Sequence, residues 1–75
     1  MANASPQVRY RIEFEREADG RWIAEVVDLP GVMAYGATRE EAERRVQTLA
    51  LQVIAERIEH GESVPFGPGV FFQSQ

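Results

Sequence analysis

The sequence predicts a small α+β domain with the element order β-β-β-α-β, arranged as a sheet with one long helix packed on one face. Three observations support this prediction: residues 8–15 alternate between apolar and charged, a second apolar run follows an Asp-Gly turn, and residues 39–60 have helical periodicity. The chain has 75 residues, 44% hydrophobic, with no cysteine and a net charge of -4. We expect one domain over residues 8–75 after a flexible lead-in at residues 1–7.

The first two strands are predicted to form a hairpin. Residues 8–15 alternate with a period of two, and residues 21–27 form the next apolar run. A loop at residues 16–20 sets Arg11 opposite Glu25, so that opposite charges meet on one face. A three-residue loop keeps the same faces but sets Glu13 against Glu25. We expect the five-residue loop because like charges opposite one another are destabilising.

The remaining strands are shorter. Asp28-Leu29-Pro30-Gly31 predicts a turn, because proline fixes φ and glycine allows a positive φ. A third strand follows at Val32–Tyr35, with either Val32 and Ala34 or Met33 and Tyr35 on the face away from the helix. A fourth strand is expected at residues 70–73, parallel to the first strand and beside it.

The helix is predicted to begin with a capping box, Thr38-Arg39-Glu40-Glu41, and to run to His60, stopping at Gly61. It carries two apolar stripes: the first is Ala42, Val46, Leu49, Ala50 and Val53, and the second is Leu51, Ile54 and Ile58. One sheet face does not need so much apolar helix surface. The surplus predicts a contact with a partner, another subunit or the chain's own tail.

Few residues suggest catalysis. His60 is the only histidine, which excludes a site of several imidazoles. Glu13, Glu15 and Glu25 are expected on one sheet face, where paired carboxylates could bind a divalent metal. The preferred hairpin register neutralises them with arginines, so we interpret them as a solvated charge ladder. We predict no catalytic, metal-binding or cofactor-binding residue and no cofactor.

The composition limits the partners and the location. An acidic chain does not favour nucleic-acid binding through a basic surface. No apolar run is long enough for a membrane span, and no export signal is visible, so the expected location is the cytoplasm. The residues predicted to contact a partner or another subunit are apolar and lie on the open sheet face, the second helix stripe and the tail. They are Ile23, Val27, Met33, Tyr35, Leu51, Ile54, Ile58, Phe66, Phe71 and Phe72.

The motif Trp22-x-Ala24-x-Val26-x-Asp28-Leu29-Pro30-Gly31, followed by Tyr35-Gly36-Ala37-Thr38 and an acidic helix start, resembles the HicB-like antitoxin family. The resemblance extends over about residues 8–66. It implies a partial RNase H-like fold and a role in a type II toxin–antitoxin pair. In such a pair the antitoxin caps a small HicA-like mRNA interferase.

Members of that family often carry a C-terminal DNA-binding segment, but this sequence ends at Gln75, so we expect no direct DNA binding. The first strand offers Arg11 and Glu13 and no aspartate, so no catalytic residue is carried over. The predicted function is a non-enzymatic, antitoxin-like protein-binding module that forms a dimer or tetramer. The alternatives are a degenerate metal-dependent nuclease using Glu13, Glu15 and Glu25, or an oligomer that binds a small ligand between subunits.

Overall fold

The computed structural model describes residues 10–63 and the backbone of residues 72–74. The predicted lead-in at residues 1–7, the residues Phe66 and Phe71, and the side chain of Phe72 lie outside this description. The elements in chain order are β1 (Tyr10–Arg16), β2 (Trp22–Val26), β3 (Met33–Gly36), α1 (Arg39–Glu59) and β4 (Phe72–Ser74). The prediction of a small α+β fold is confirmed: β1, β2 and β3 form an antiparallel sheet, and α1 packs against it.

The order of the strands is β3-β2-β1-β4. β4 pairs with β1 in parallel, with Tyr10 beside Phe72 and Ile12 beside Ser74. The last strand was predicted at residues 70–73, beside the first and parallel to it; it is observed at Phe72–Ser74 with that pairing. β3 lies at one edge of the sheet and β4 at the other.

The predicted register of the first hairpin is wrong. Glu13 lies opposite Glu25, and Ile12 lies opposite Val26. The N–H of Glu17 donates to the carbonyl of Arg21 at 2.7 Å, which leaves a three-residue loop ending at Gly20 with φ 93°. This loop geometry suits the right-handed twist of the strands and needs a residue that tolerates a positive φ.

Asp19 explains why the turn outweighs the charge pairing. Its carboxylate accepts from the Arg21 N–H at 3.0 Å and from the Arg21 Nε–H at 2.8 Å. The backbone hydrogen bond from Arg21, with the guanidinium beside it, holds the pKa of the Asp19 carboxyl below its usual value. A cross-strand charge pair contributes only about 0.2–1 kcal/mol, so local turn chemistry decides the register.

The core lies between α1 and one face of the sheet. The sheet contributes Tyr10, Ile12, Ala24 and Val26, and α1 contributes Ala42, Val46, Ala50 and Ile54. Ile54 was predicted for a partner-facing stripe, but its side chain is only 3% exposed because it belongs to the chain's own core. Leu29 and Val32, from the loop between β2 and β3, complete the core.

The ends of α1 agree with the prediction to within one residue. The Thr38 hydroxyl accepts from the Glu41 N–H at 3.1 Å, and the Glu41 carboxylate accepts from the Ala37 N–H at 2.6 Å. At the other end Gly61 has φ 74°, and its N–H donates to Ile58. These bonds satisfy backbone groups that the helix cannot pair internally.

Gly36 sets the distance between β3 and α1. A Cβ at Gly36 would collide with the backbone N of Ala42 and lie 2.9 Å from its Cα. Real Cβ atoms are not found so close to backbone atoms. Only glycine therefore lets the end of β3 pass beneath the first turn of α1.

Candidate functional site

The sheet face turned away from α1 is not covered by any residue between 10 and 63. We call this surface the open face; its side chains come from alternate positions of three strands and of the residue after β2. They are Arg11, Glu13, Glu15, Ile23, Glu25, Val27, Met33 and Tyr35. Met33 and Tyr35 are each 41% exposed, which resolves the two alternatives for the third strand.

The acidic part of the open face carries like charges in direct opposition. Glu13 and Glu25 are cross-strand partners, and Glu15 follows on the same side of β1. Glu13 and Glu25 form a hydrogen-bonded pair, since Val27 donates to Arg11 two positions away, and such residues have Cα atoms about 5.5 Å apart. None of these three carboxylates forms an ion pair with an arginine in the described part of the chain. The predicted neutral charge ladder is therefore wrong.

The open face is shallow rather than enclosed. A broad depression of about 460 Å³ is lined by Glu13, Phe14, Glu15, Ile23, Glu25 and Met33. Across one row of the sheet, Glu13 and Glu25 lead to Met33; across the next, Glu15 and Ile23 lead to Tyr35. On the open face β1 thus carries Arg11 followed by Glu13 and Glu15, whereas β3 is apolar.

The side chain of Arg21 borders the apolar half of the open face. The guanidinium of Arg21 lies over the Tyr35 ring, 4.4 Å from its centre, and forms an ion pair with Asp19 at 2.8 Å. Arg21 therefore stabilises the position of Tyr35 and forms its ion pair with Asp19 rather than with a carboxylate of β1. The open face is electrostatically asymmetric as a result.

The other predicted interface residues occupy a separate surface. Leu51 and Ile58 lie on α1 and are 48% and 55% exposed. Because α1 covers the opposite side of the sheet, these two residues do not belong to the open face. Ile23 and Val27 are half-buried on the open face.

Glu13 and Glu25 were left out of the predicted interface because the expected register neutralised them. The signal that could have placed them there was Asp19-Gly20, which favours the short loop. Within residues 10–63 and 72–74, no group of three acidic or histidine side chains is arranged to hold a metal ion. The arrangement therefore gives the nuclease hypothesis no support.

Comparison with known proteins finds no matching family model, no similar curated protein and no similar solved structure. The HicB-like resemblance thus rests on the sequence motif alone and stays a prediction. In the described ranges, no helix is long and apolar enough to cross a membrane.

Proposed function

We propose that this chain is a non-enzymatic, antitoxin-like protein that binds and neutralises a small basic HicA-like mRNA interferase through its open face. The observation that carries the proposal is the opposition of Glu13 and Glu25, neither of which forms an ion pair within the described part of the chain. The motif resemblance supplies the class of partner. The charge on the open face supplies the reason why that partner would be basic.

The acidic half of the open face favours a cationic partner. Like charges directly opposite in a sheet destabilise it by about 0.2–1 kcal/mol relative to a neutral pair. A lysine or arginine placed between Glu13 and Glu25 would convert this repulsion into two attractions. Between residues 10 and 63 no arginine forms an ion pair with Glu13 or Glu25, so a cation from a partner would add this attraction on binding.

The apolar half of the open face provides apolar area whose burial against a partner would stabilise a complex. Met33 and Tyr35 are exposed, and Ile23 lies beside them, half-buried. Protein interfaces commonly combine an aromatic or methionine-rich centre with charged groups that steer the partner. The open face has both components on one surface.

The first experiment uses the product of a short basic reading frame adjacent to the gene for this chain. We expect the two proteins to form a complex at micromolar concentration in a calorimetric titration. We also expect co-expression to relieve any growth inhibition caused by the neighbour. Absence of such a frame, or no complex at micromolar concentration, would overturn the proposal.

The second experiment tests the surface. Glu13→Arg combined with Glu25→Arg should weaken the complex by about tenfold or more, because the partner's cations would meet like charges. The matched control is Glu56→Arg combined with Glu62→Arg, which changes the net charge equally at exposed positions on α1 and after it. An equal loss of affinity in both double variants would mean that only net charge matters and that the open face is not the site.

A further inference from the structure

The edge strand β3 presents backbone groups to solvent in a regular order. Val26 donates to the Val32 C=O, so Ala34 and Gly36, at the following alternate positions, turn their hydrogen-bonding groups toward β2. The alternating pattern of an antiparallel pair then turns the N–H and C=O groups of Met33 and Tyr35 outward. An exposed edge of this kind is a template for another strand.

Two side chains of α1 already occupy part of this edge. The Glu41 carboxylate accepts from the Ala37 N–H at 2.6 Å, and Arg45 Nη1 donates to the Tyr35 C=O at 3.1 Å. Glu41 and Arg45 are joined to each other at 3.2 Å. In a parallel sheet, one residue forms two hydrogen bonds with the neighbouring strand. Its N–H and its C=O pair with the two residues that flank the residue opposite it. The Glu41–Arg45 pair therefore imitates one residue of a missing strand.

Among the described residues, nothing bonds the N–H and C=O of Met33 or the N–H of Tyr35 at this edge. The side chains of Met33 and Tyr35 are exposed as well, at 41% each. The edge therefore combines unpaired backbone groups with apolar side chains. This part of the molecule is suited to strand addition.

We infer that a second copy of this chain pairs with the β3 edge in an antiparallel ladder centred on Ala34. In this register Met33 lies opposite Tyr35 of the second copy, and the two residues exchange both backbone hydrogen bonds. The twofold axis repeats the exchange, so Met33 and Tyr35 of each copy are satisfied. Such a contact uses the same surface on both copies, as a twofold dimer requires.

The alternative registers satisfy the edge less well. A ladder centred on Met33 would bring in Gly31, whose φ of 88° belongs to the turn and not to a strand. A ladder centred on Tyr35 would need the Ala37 N–H, which Glu41 already holds at 2.6 Å. A ladder centred on Ala34 uses only residues of β3. To form it, each copy must break the bond from Arg45 to the Tyr35 C=O.

The side chains fit the same register. Met33 and Tyr35 lie on the open face, so each methionine meets the tyrosine of the other copy on one side of the joined sheet. A thioether beside an aromatic ring is a favourable contact. On the helix side the residue at the axis is Ala34, whose small side chain lets the strands approach.

Arg45 controls whether this dimer can form. Its bond to Tyr35 competes with the ladder, so the free chain keeps its edge protected and the dimer forms only when Arg45 moves away. This sets the dimer apart from the open-face complex proposed above, because it concerns the chain by itself. Glu13→Arg with Glu25→Arg should leave the dimer unchanged.

The test is the mass of the purified chain by sedimentation as its concentration is raised. We expect a monomer–dimer equilibrium in the wild type, and dimerisation tighter by about tenfold or more in Arg45→Ala, since one competing bond is removed from each of the two copies. Arg44→Ala, which removes an adjacent exposed arginine, should match the wild type. Met33→Pro should be monomeric, because proline removes an outward N–H without breaking the bonds to β2.

A measurement on the unaltered chain guards against misfolded variants. Amide exchange at Met33 and Tyr35 should slow as the concentration rises, because these N–H groups become bonded only in the dimer. Monomeric wild type and Arg45→Ala at millimolar concentration would overturn the inference. Dimerisation that leaves these two amides unprotected, or that survives in a folded Met33→Pro, would also overturn it.

Discussion

The two faces of the same sheet differ in whether their side chains have favourable neighbours. On the covered face, Ile12 and Val26 are fully buried against α1. On the open face one residue away, Glu13 and Glu25 oppose each other, and neither forms an ion pair within residues 10–63. Neighbouring positions in one strand therefore have different surroundings, because successive side chains point to opposite sides of the sheet.

This difference also explains why the open face tolerates repulsion. Water screens exposed charges, so the like-charge pair costs little compared with a cavity in the core. The covered face has no such tolerance. Substitutions on the two faces should therefore separate stability from binding.

The largest expected effect compares two isoleucines on opposite faces. Ile12→Ala should lower the free energy of unfolding by about 2–5 kcal/mol, because it leaves a cavity at a fully buried position. Ile23→Ala, at a half-buried position on the open face, should lose less than half as much. Urea denaturation measures both, and Ile12→Val, at about 0.5–1.5 kcal/mol, serves if Ile12→Ala does not fold. Equal losses would contradict the distinction between the faces.

The next effect concerns the contact of β3 with α1. Gly36→Ala should lower the free energy of unfolding by about 3 kcal/mol, because the added Cβ meets the backbone of Ala42. Gly61→Ala is the control, since nothing lies within 4 Å of its Cβ position and only the positive φ costs energy. That cost is about 1–2 kcal/mol. A neutral Gly36→Ala in thermal denaturation would show that the close approach does not constrain the fold.

A smaller effect should increase the free energy of unfolding rather than decrease it. Glu13→Arg alone should raise the free energy of unfolding by about 0.2–1 kcal/mol, because a repulsion becomes an attraction to Glu25. The double reversal of Glu13 and Glu25 restores like charges and should return to wild-type stability. The urea concentration at the midpoint of unfolding measures these changes. A destabilised Glu13→Arg would argue against the observed register.

The smallest effect is confined to alkaline pH. Burial raises the pKa of Tyr10 above its ordinary value of 10.0; the Asp28 carboxylate adds to the shift and Arg57 opposes it. Above pH 10 the unfolded chain loses this proton before the folded chain does, so the free energy of unfolding falls as the pH rises. Tyr10→Phe should remove this fall, as measured by urea denaturation from pH 8 upward. An identical pH profile in the two proteins would exclude Tyr10 as its source.

The sequence was informative where local patterns decide the structure. The alternation through β1 assigned Ile12 to the core and Glu13 to the opposite face. The capping residues Thr38 and Gly61 gave both ends of α1. It was less informative where distant segments meet: Ile54 looked like a partner-facing residue, and Leu29 looked like an ordinary turn residue, yet both are buried in the core.

The sequence by itself determined which side chains share a face and where the helix begins and ends, because these follow from backbone periodicity and from hydrogen bonds between near neighbours. The tertiary structure alone decided which residues stand opposite one another. A two-residue change of register keeps every side chain on its face, so periodicity cannot distinguish the two pairings. The turn at Asp19 and Gly20 made that choice, and with it brought Glu13 against Glu25 on the open face.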